Sequence, residues 1–214
     1  MQSVVLRSFI HLAAAAAVVL TAAAPAFAGS IHFDTDPFAG STAPTTPGRQ
    51  IVGGEPSITF DISADVFGFG LDAFGLSALS FANETIENLP ASGINVIVLR
   101  TFDNDANPAT PFGAGNAANL IADRITTAGA GFFVYFNSGL DLPRLVFSAD
   151  LSDASADLKI LARLINLKGA DGRDAMADFT AANFQTVPEP ASLVLFGSAA
   201  AMLGSRRLRR RRKA

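Results

Sequence analysis

Between residues 57 and 167 the apolar positions come in short runs or alternate singly with polar ones, broken by Gly, Pro, Asp and Asn. That is the pattern of a sheet protein. Ser57 to Ser63 (Ser-Ile-Thr-Phe-Asp-Ile-Ser) alternates at period two and predicts a half-buried strand. Val66 to Phe81, rich in Phe, Gly, Leu and Ala, predicts two short strands about a Gly-containing bend, with Phe67, Phe69, Phe74 and Phe81 in the core. Gly93 to Phe102 holds Ile94, Val96, Ile97, Val98 and Leu99, a buried strand. The period changes at Gly115 to Thr127, where Ala117, Leu120, Ile121, Arg124 and Ile125 fall on one helical face, with Asn116 as the cap and Gly129 and Gly131 as stops. Gly131 to Asn137 and Arg144 to Asp150 then read as a hairpin about the Ser138 to Pro143 turn. Leu158 to Leu167 fits both periods, and the strand reading is preferred because it extends the meander. Gly169 to Arg173 reads as a turn, and Asp174 to Phe184 as a short helix or an irregular segment. The expectation is a mainly β domain, an antiparallel β-sandwich-like fold with one clear α-helix. A small α+β domain, a sheet with helices on one face, is the alternative.

The two ends follow neither period. At the N-terminus a positive start with Arg7 precedes an uncharged run from Leu12 to Ala24, then Pro25 and the triplet Ala26-Phe27-Ala28. This is a secretory signal peptide, 1–28, with Ala26 and Ala28 as the cleavage signature and Gly29 as the first mature residue. Residues 29–56, rich in Pro, Thr, Gly and Asp, read as an extended entry segment with turns before the β-rich domain at 57–186.

The C-terminal segment 187–214 has three parts: Val187-Pro188-Glu189-Pro190, an uncharged run from Ala191 to Gly204, and a basic cluster of Arg206, Arg207, Arg209, Arg210, Arg211, Arg212 and Lys213. The prolines make the first part stiff and extended. The apolar run spans roughly 21 Å as a helix at about 1.5 Å per residue, short of a ~30 Å hydrocarbon core. Snorkelling arginines and local thinning cover the difference, and the positive-inside rule keeps the cluster in the cytoplasm. A buried terminal helix with a solvated basic tail is the bland reading, and the basic cluster directly behind the run argues against it.

This ordered tail, on a chain with a signal peptide, resembles the PEP-CTERM sorting signal of exported proteins in Gram-negative bacteria. The resemblance implies an exosortase, a membrane-embedded cysteine protease, as the processing partner, after signal peptidase and the Sec machinery. It implies passage through the inner membrane with the domain in the periplasm, then the cell surface or extracellular matrix, and an association with exopolysaccharide and biofilm. Thr46 to Glu55 and Ala114 to Leu167 also resemble a domain that recurs in such proteins and brings no activity with it.

Charge sharpens this picture. The net charge of −3 conceals eight basic against eighteen acidic residues between Gly29 and Val187, about −10 for the domain. That excludes nucleic acid as a partner class. The chain has no cysteine, so export brings no disulfide framework and no thiol nucleophile. His11 and His32 are the only histidines, one of them in the signal peptide, which leaves neither a zinc site nor a triad base in the domain. Arg49-Gln50-Ile51-Val52-Gly53-Gly54 mimics the activation site of trypsin-like proteases, but Gln50 intervenes and no Gly-Asp-Ser-Gly-Gly follows. No phosphate or dinucleotide fingerprint occurs, and no cofactor or catalytic residue is expected. The weak metal candidate is Asp103 with Asp105, in Asp103-Asn104-Asp105-Ala106-Asn107-Pro108, where alternate oxygens suit Ca²⁺; an Asx-rich turn is the simpler account. Carboxylate pairs for glycosidase chemistry remain open, since the sequence ranks none.

Overall fold

A computed structural model of the chain describes residues 29–187, apart from positions 104 and 108. Among the described residues twelve regular elements occur in chain order, besides short 3₁₀ turns: β1 (Ser30–Phe33), β2 (Ile51–Val52), β3 (Ser57–Ile58), β4 (Val66–Phe69), β5 (Phe81–Glu84), β6 (Val96–Leu99), α1 (Ala114–Arg124), β7 (Gly131–Asn137), β8 (Leu142–Ser148), β9 (Leu158–Leu164), α2 (Gly169–Asp174) and β10 (Phe184–Thr186). The large sheet runs β2-β9-β8-β7-β6-β5, with β3 following β2 along the same edge of β9. The small sheet is β1-β4-β10. The fold is mainly β.

The large sheet is apolar on both faces, so its strands read as continuous runs rather than as alternation. Val96, Val98, Phe132, Val134, Phe136, Leu145 and Phe147 point to the small sheet, where they meet Phe67, Phe69 and Phe184. Ile97, Leu99, Phe133, Tyr135 and Val146 point the other way, onto Ala114, Ala117, Ala118 and Ile121 of α1. Alanines on the buried helix face let the backbone sit close to the sheet. The Phe69 and Phe132 rings stack at 3.9 Å between centroids and tie the two sheets together. Helix α1 starts at Gly113. Asn116 lies three residues in and accepts a hydrogen bond from the Gly113 N–H at 3.1 Å, so it caps backwards instead of occupying the cap position.

The antiparallel expectation holds for β7, β8 and β9 alone; the other six pairings among the described residues are parallel. The hairpin was the one local pairing in the pattern. Parallel partners are joined by long crossings that leave no local signature. The same reason hid the three strands β1, β2 and β10. β1 and β2 fall in the entry segment, and β10 follows the stretch read as helical or irregular. The turn expected at Gly169 to Arg173 is instead the short helix α2. Leu158 to Leu164 is a strand whose helix-like spacing has a specific cause. Val146 pairs with Ile160 but Leu145 pairs with Ala162, so Leu161 is an extra, bulged residue. Leu158 and Ile160 face α1, and beyond the bulge Ala162 and Leu164 face the small sheet.

Candidate functional site

The register of the large sheet assembles one buried charged cluster. Tyr135 on β7 pairs with Arg144 on β8, and Arg144 with Arg163 on β9. Their flanking residues Val134, Phe136, Leu145, Ala162 and Leu164 face the small sheet, so alternation turns Tyr135, Arg144 and Arg163 towards the α1 side. The loop between β2 and β3 lies along the β9 edge and delivers Glu55 to this row. Arg144 Nη2 and Arg163 Nε both donate to Glu55 Oε1, the latter at 2.7 Å. The Glu55 side chain is 1% exposed, Arg144 14% and Arg163 42%. Burial pushes the Glu55 carboxyl up, but its own backbone N–H and the two guanidinium groups outweigh that and hold it below the usual carboxylate range. Burial raises the Tyr135 phenol, which accepts a hydrogen bond from Asn137 Nδ2 at 2.9 Å. Arg144 Nε is buried without a protein partner.

This arrangement is an electrostatic lock. It fastens the β2–β3 loop to β8 and β9, and it keeps Glu55 ionised, the opposite of what a general acid needs. Arg49 makes a similar fastening further along the same edge. Its Nε donates to Ala156 O at 3.2 Å, and its Nη1 to Gly115 O and Asn119 Oδ1 at 2.9 and 2.7 Å. The Glu55 cluster was not legible in the sequence, because its members meet only through strand register. The protease-like hexapeptide ends just before it, and here Ile51 and Val52 form β2.

Cavities open on the surface among the described residues. One of about 600 Å³ lies between Phe60, Asp61, Ile62 and Ser63 on one side and Asn166, Leu167, Ala175 and Asp178 on the other. Hydrogen bonds from the Ser63 hydroxyl and N–H to Asp61 hold that carboxyl low and ionised. Another, of about 300 Å³, lies before the amino ends of β5, β6 and β7 and carries no ionisable side chain.

The residues expected from the sequence fall as follows. Asp103 Oδ1 accepts from the N–H groups of Asp105 and Ala106, Asp105 Oδ1 from Asn107, and Asn107 Oδ1 from Ala109. This is a chain of Asx turns, with the oxygens aimed at backbone donors. Among the described residues no three His, Cys, Asp or Glu side chains converge as a metal site. Val187 is the last described residue. Its N–H donates to Phe69 O at 2.8 Å, and its side chain lies over Gly68. Pro188, Glu189 and Pro190, the cluster Arg206 to Lys213, and Ala26 and Ala28 lie outside the described residues. Among the described residues no helix is long and apolar enough to cross a membrane. Compared with known proteins, the chain matches no family model, no curated protein and no solved structure.

Proposed function

We propose that this chain is an exported cell-surface or extracellular-matrix protein, delivered and processed through its C-terminal segment, whose domain acts without catalysis. The observation that carries the reading is the ordered tail: Val187-Pro188-Glu189-Pro190, the apolar run to Gly204, and the cluster from Arg206 to Lys213. The signal peptide supports it, and so does an acidic domain free of cysteine. In this reading the chain passes through the Sec machinery, loses residues 1–28 to signal peptidase, and rests in the inner membrane by its tail. An exosortase then releases it to the surface, with exopolysaccharide as its surroundings.

The anchoring of Val187 adds a constraint. Backbone bonds hold the chain to the small sheet up to Val187, so a protease that acts on the folded protein is expected to cut after Val187 and not before it. The test is a chain stopped after Val187, which keeps β10 whole. It is expected to leave the envelope fraction in soluble, folded form. Retention of the stopped chain in the membrane at the level of the full chain would overturn the proposal.

A further inference from the structure

We infer that the cavity before the amino ends of β5, β6 and β7 is a binding site for a neutral carbohydrate, a single sugar ring or the end of a short glycan. Three loops form its walls: Gly75 to Ser80, Ser92 to Asn95, and Ile125 to Ala130. The walls are fastened to each other rather than merely adjacent. Asn95 Oδ1 accepts from Ser80 N and its Nδ2 donates to Ala78 O, both at 2.8 Å. Ser80 Oγ donates to Gly93 O, Phe132 N to Asn95 O, and Leu151 N to Gly129 O. The site is therefore preformed, as small-molecule sites usually are. Gly75 and Gly93, with φ of 66° and 77°, turn two of these loops where an added Cβ would meet nothing within 4 Å, and they leave the mouth open.

The lining chemistry selects the ligand. Ile125 and Leu151 are buried and give the floor an aliphatic character, with Leu76 and Ile94 partly buried beside them. Ser77, Ser92 and Thr127 are exposed residues of the lining, and among the described residues no protein group hydrogen-bonds to their hydroxyls. A hydroxyl both donates and accepts, which matches the alternating demands of a polyol. In a domain of about −10 net charge, a cavity without Asp, Glu, Lys, Arg or His excludes an ion as the preferred guest. The 300 Å³ volume stands at the lower end of ligand pockets and suits a ring, not a long chain. No aromatic side chain is among the lining residues, so there is no stacking platform and the binding is weak.

The binding rests on the cavity alone; only the idea that the sugar belongs to a surface polysaccharide rests on the export reading. The test uses the full chain in a detergent without a sugar headgroup. Saturation-transfer NMR is recorded with the methyl glycosides of glucose, galactose and mannose, and with glucuronic acid as the charged comparison. At least one neutral glycoside is expected to receive transfer, with glucuronate weaker. Ser92→Trp, which fills the mouth, is expected to abolish transfer at an unchanged melting temperature. Thr127→Val, which removes one hydroxyl at nearly constant shape, is expected to weaken binding several-fold and covers the case in which Ser92→Trp fails to fold. No transfer to any neutral glycoside would overturn the inference. So would equal transfer to glucuronate, or full binding by both variants. A chain that binds glycosides but stays unprocessed in its host would refute the export reading and leave the cavity standing.

Discussion

Phe184 on β10 offers the sharpest test of how the domain is built. The residue is 5% exposed. Its ring lies 5.7 Å from Phe67, 5.4 Å from Phe81 and 6.0 Å from Phe179, centroid to centroid. The strand that carries it pairs in parallel with β4, three residues before the tail begins to differ in character. Phe184→Ala removes that ring from a cluster made largely of other rings, which do not collapse easily into the gap. The expected cost is roughly 3–5 kcal/mol. At about 2–4 °C per kcal/mol for a domain of this size, the melting temperature falls by about 6–20 °C. Thr186→Ala, on the exposed end of the same strand, is expected to stay within about 0.5 kcal/mol. Urea unfolding followed by circular dichroism measures both. A Phe184→Ala loss below about 1 kcal/mol, or equal losses at the two positions, would mean that β10 is not part of the cooperative fold. Val187 would then not be held to the small sheet either.

Other outcomes follow from the same geometry. Glu55→Ala leaves Arg144 buried without its counter-ion and is expected to cost about 3 kcal/mol in urea unfolding, the low end for a broken buried pair because Arg163 is 42% exposed; a loss below 1 kcal/mol would contradict the lock. The Glu55 carboxyl is held below its usual range in the fold, so its stabilisation is present above the unfolded carboxylate range and disappears as pH falls through the lower folded value. Glu55→Gln is accordingly expected to lose less stability than the native chain between neutral pH and pH of about 3, and parallel pH profiles would refute that assignment. Ca²⁺ at millimolar concentration is expected to leave the melting temperature of the native chain unchanged, because the Asp103 and Asp105 oxygens accept backbone N–H bonds; a rise that Asp105→Asn abolishes would restore the calcium reading.

What could be read in advance depended on whether the signal was local. The helix at Ala114–Arg124 and the hairpin from Gly131 to Ser148 announced themselves because their patterns and stops lie next to each other in the chain. Leu161 shows how a single bulge turns a strand's period of two into helix-like spacing. β1, β2 and β10 are too short for any period, and each exists through a partner far away in sequence. The Glu55 cluster was hidden for the same reason. Glu55 and Arg144 are 89 positions apart, and only the register brings Arg144 beside Arg163. The hydroxyl-lined cavity was equally silent, since Ser77, Ser92 and Thr127 in Gly-containing loops look like ordinary turn residues. The tail is the reverse case: its order of proline-bracketed, apolar and basic residues is local in the sequence.

The measurement that tests the export reading most directly is the intact mass and cell fraction of the native protein, with and without the host's exosortase. The expected result is a chain that begins at Gly29 and is shortened at or after Pro188, found at the surface or in the matrix, with the C-terminal shortening lost when the exosortase is removed. An uncut tail in both strains, or a cut upstream of Val187 in the folded protein, would contradict it.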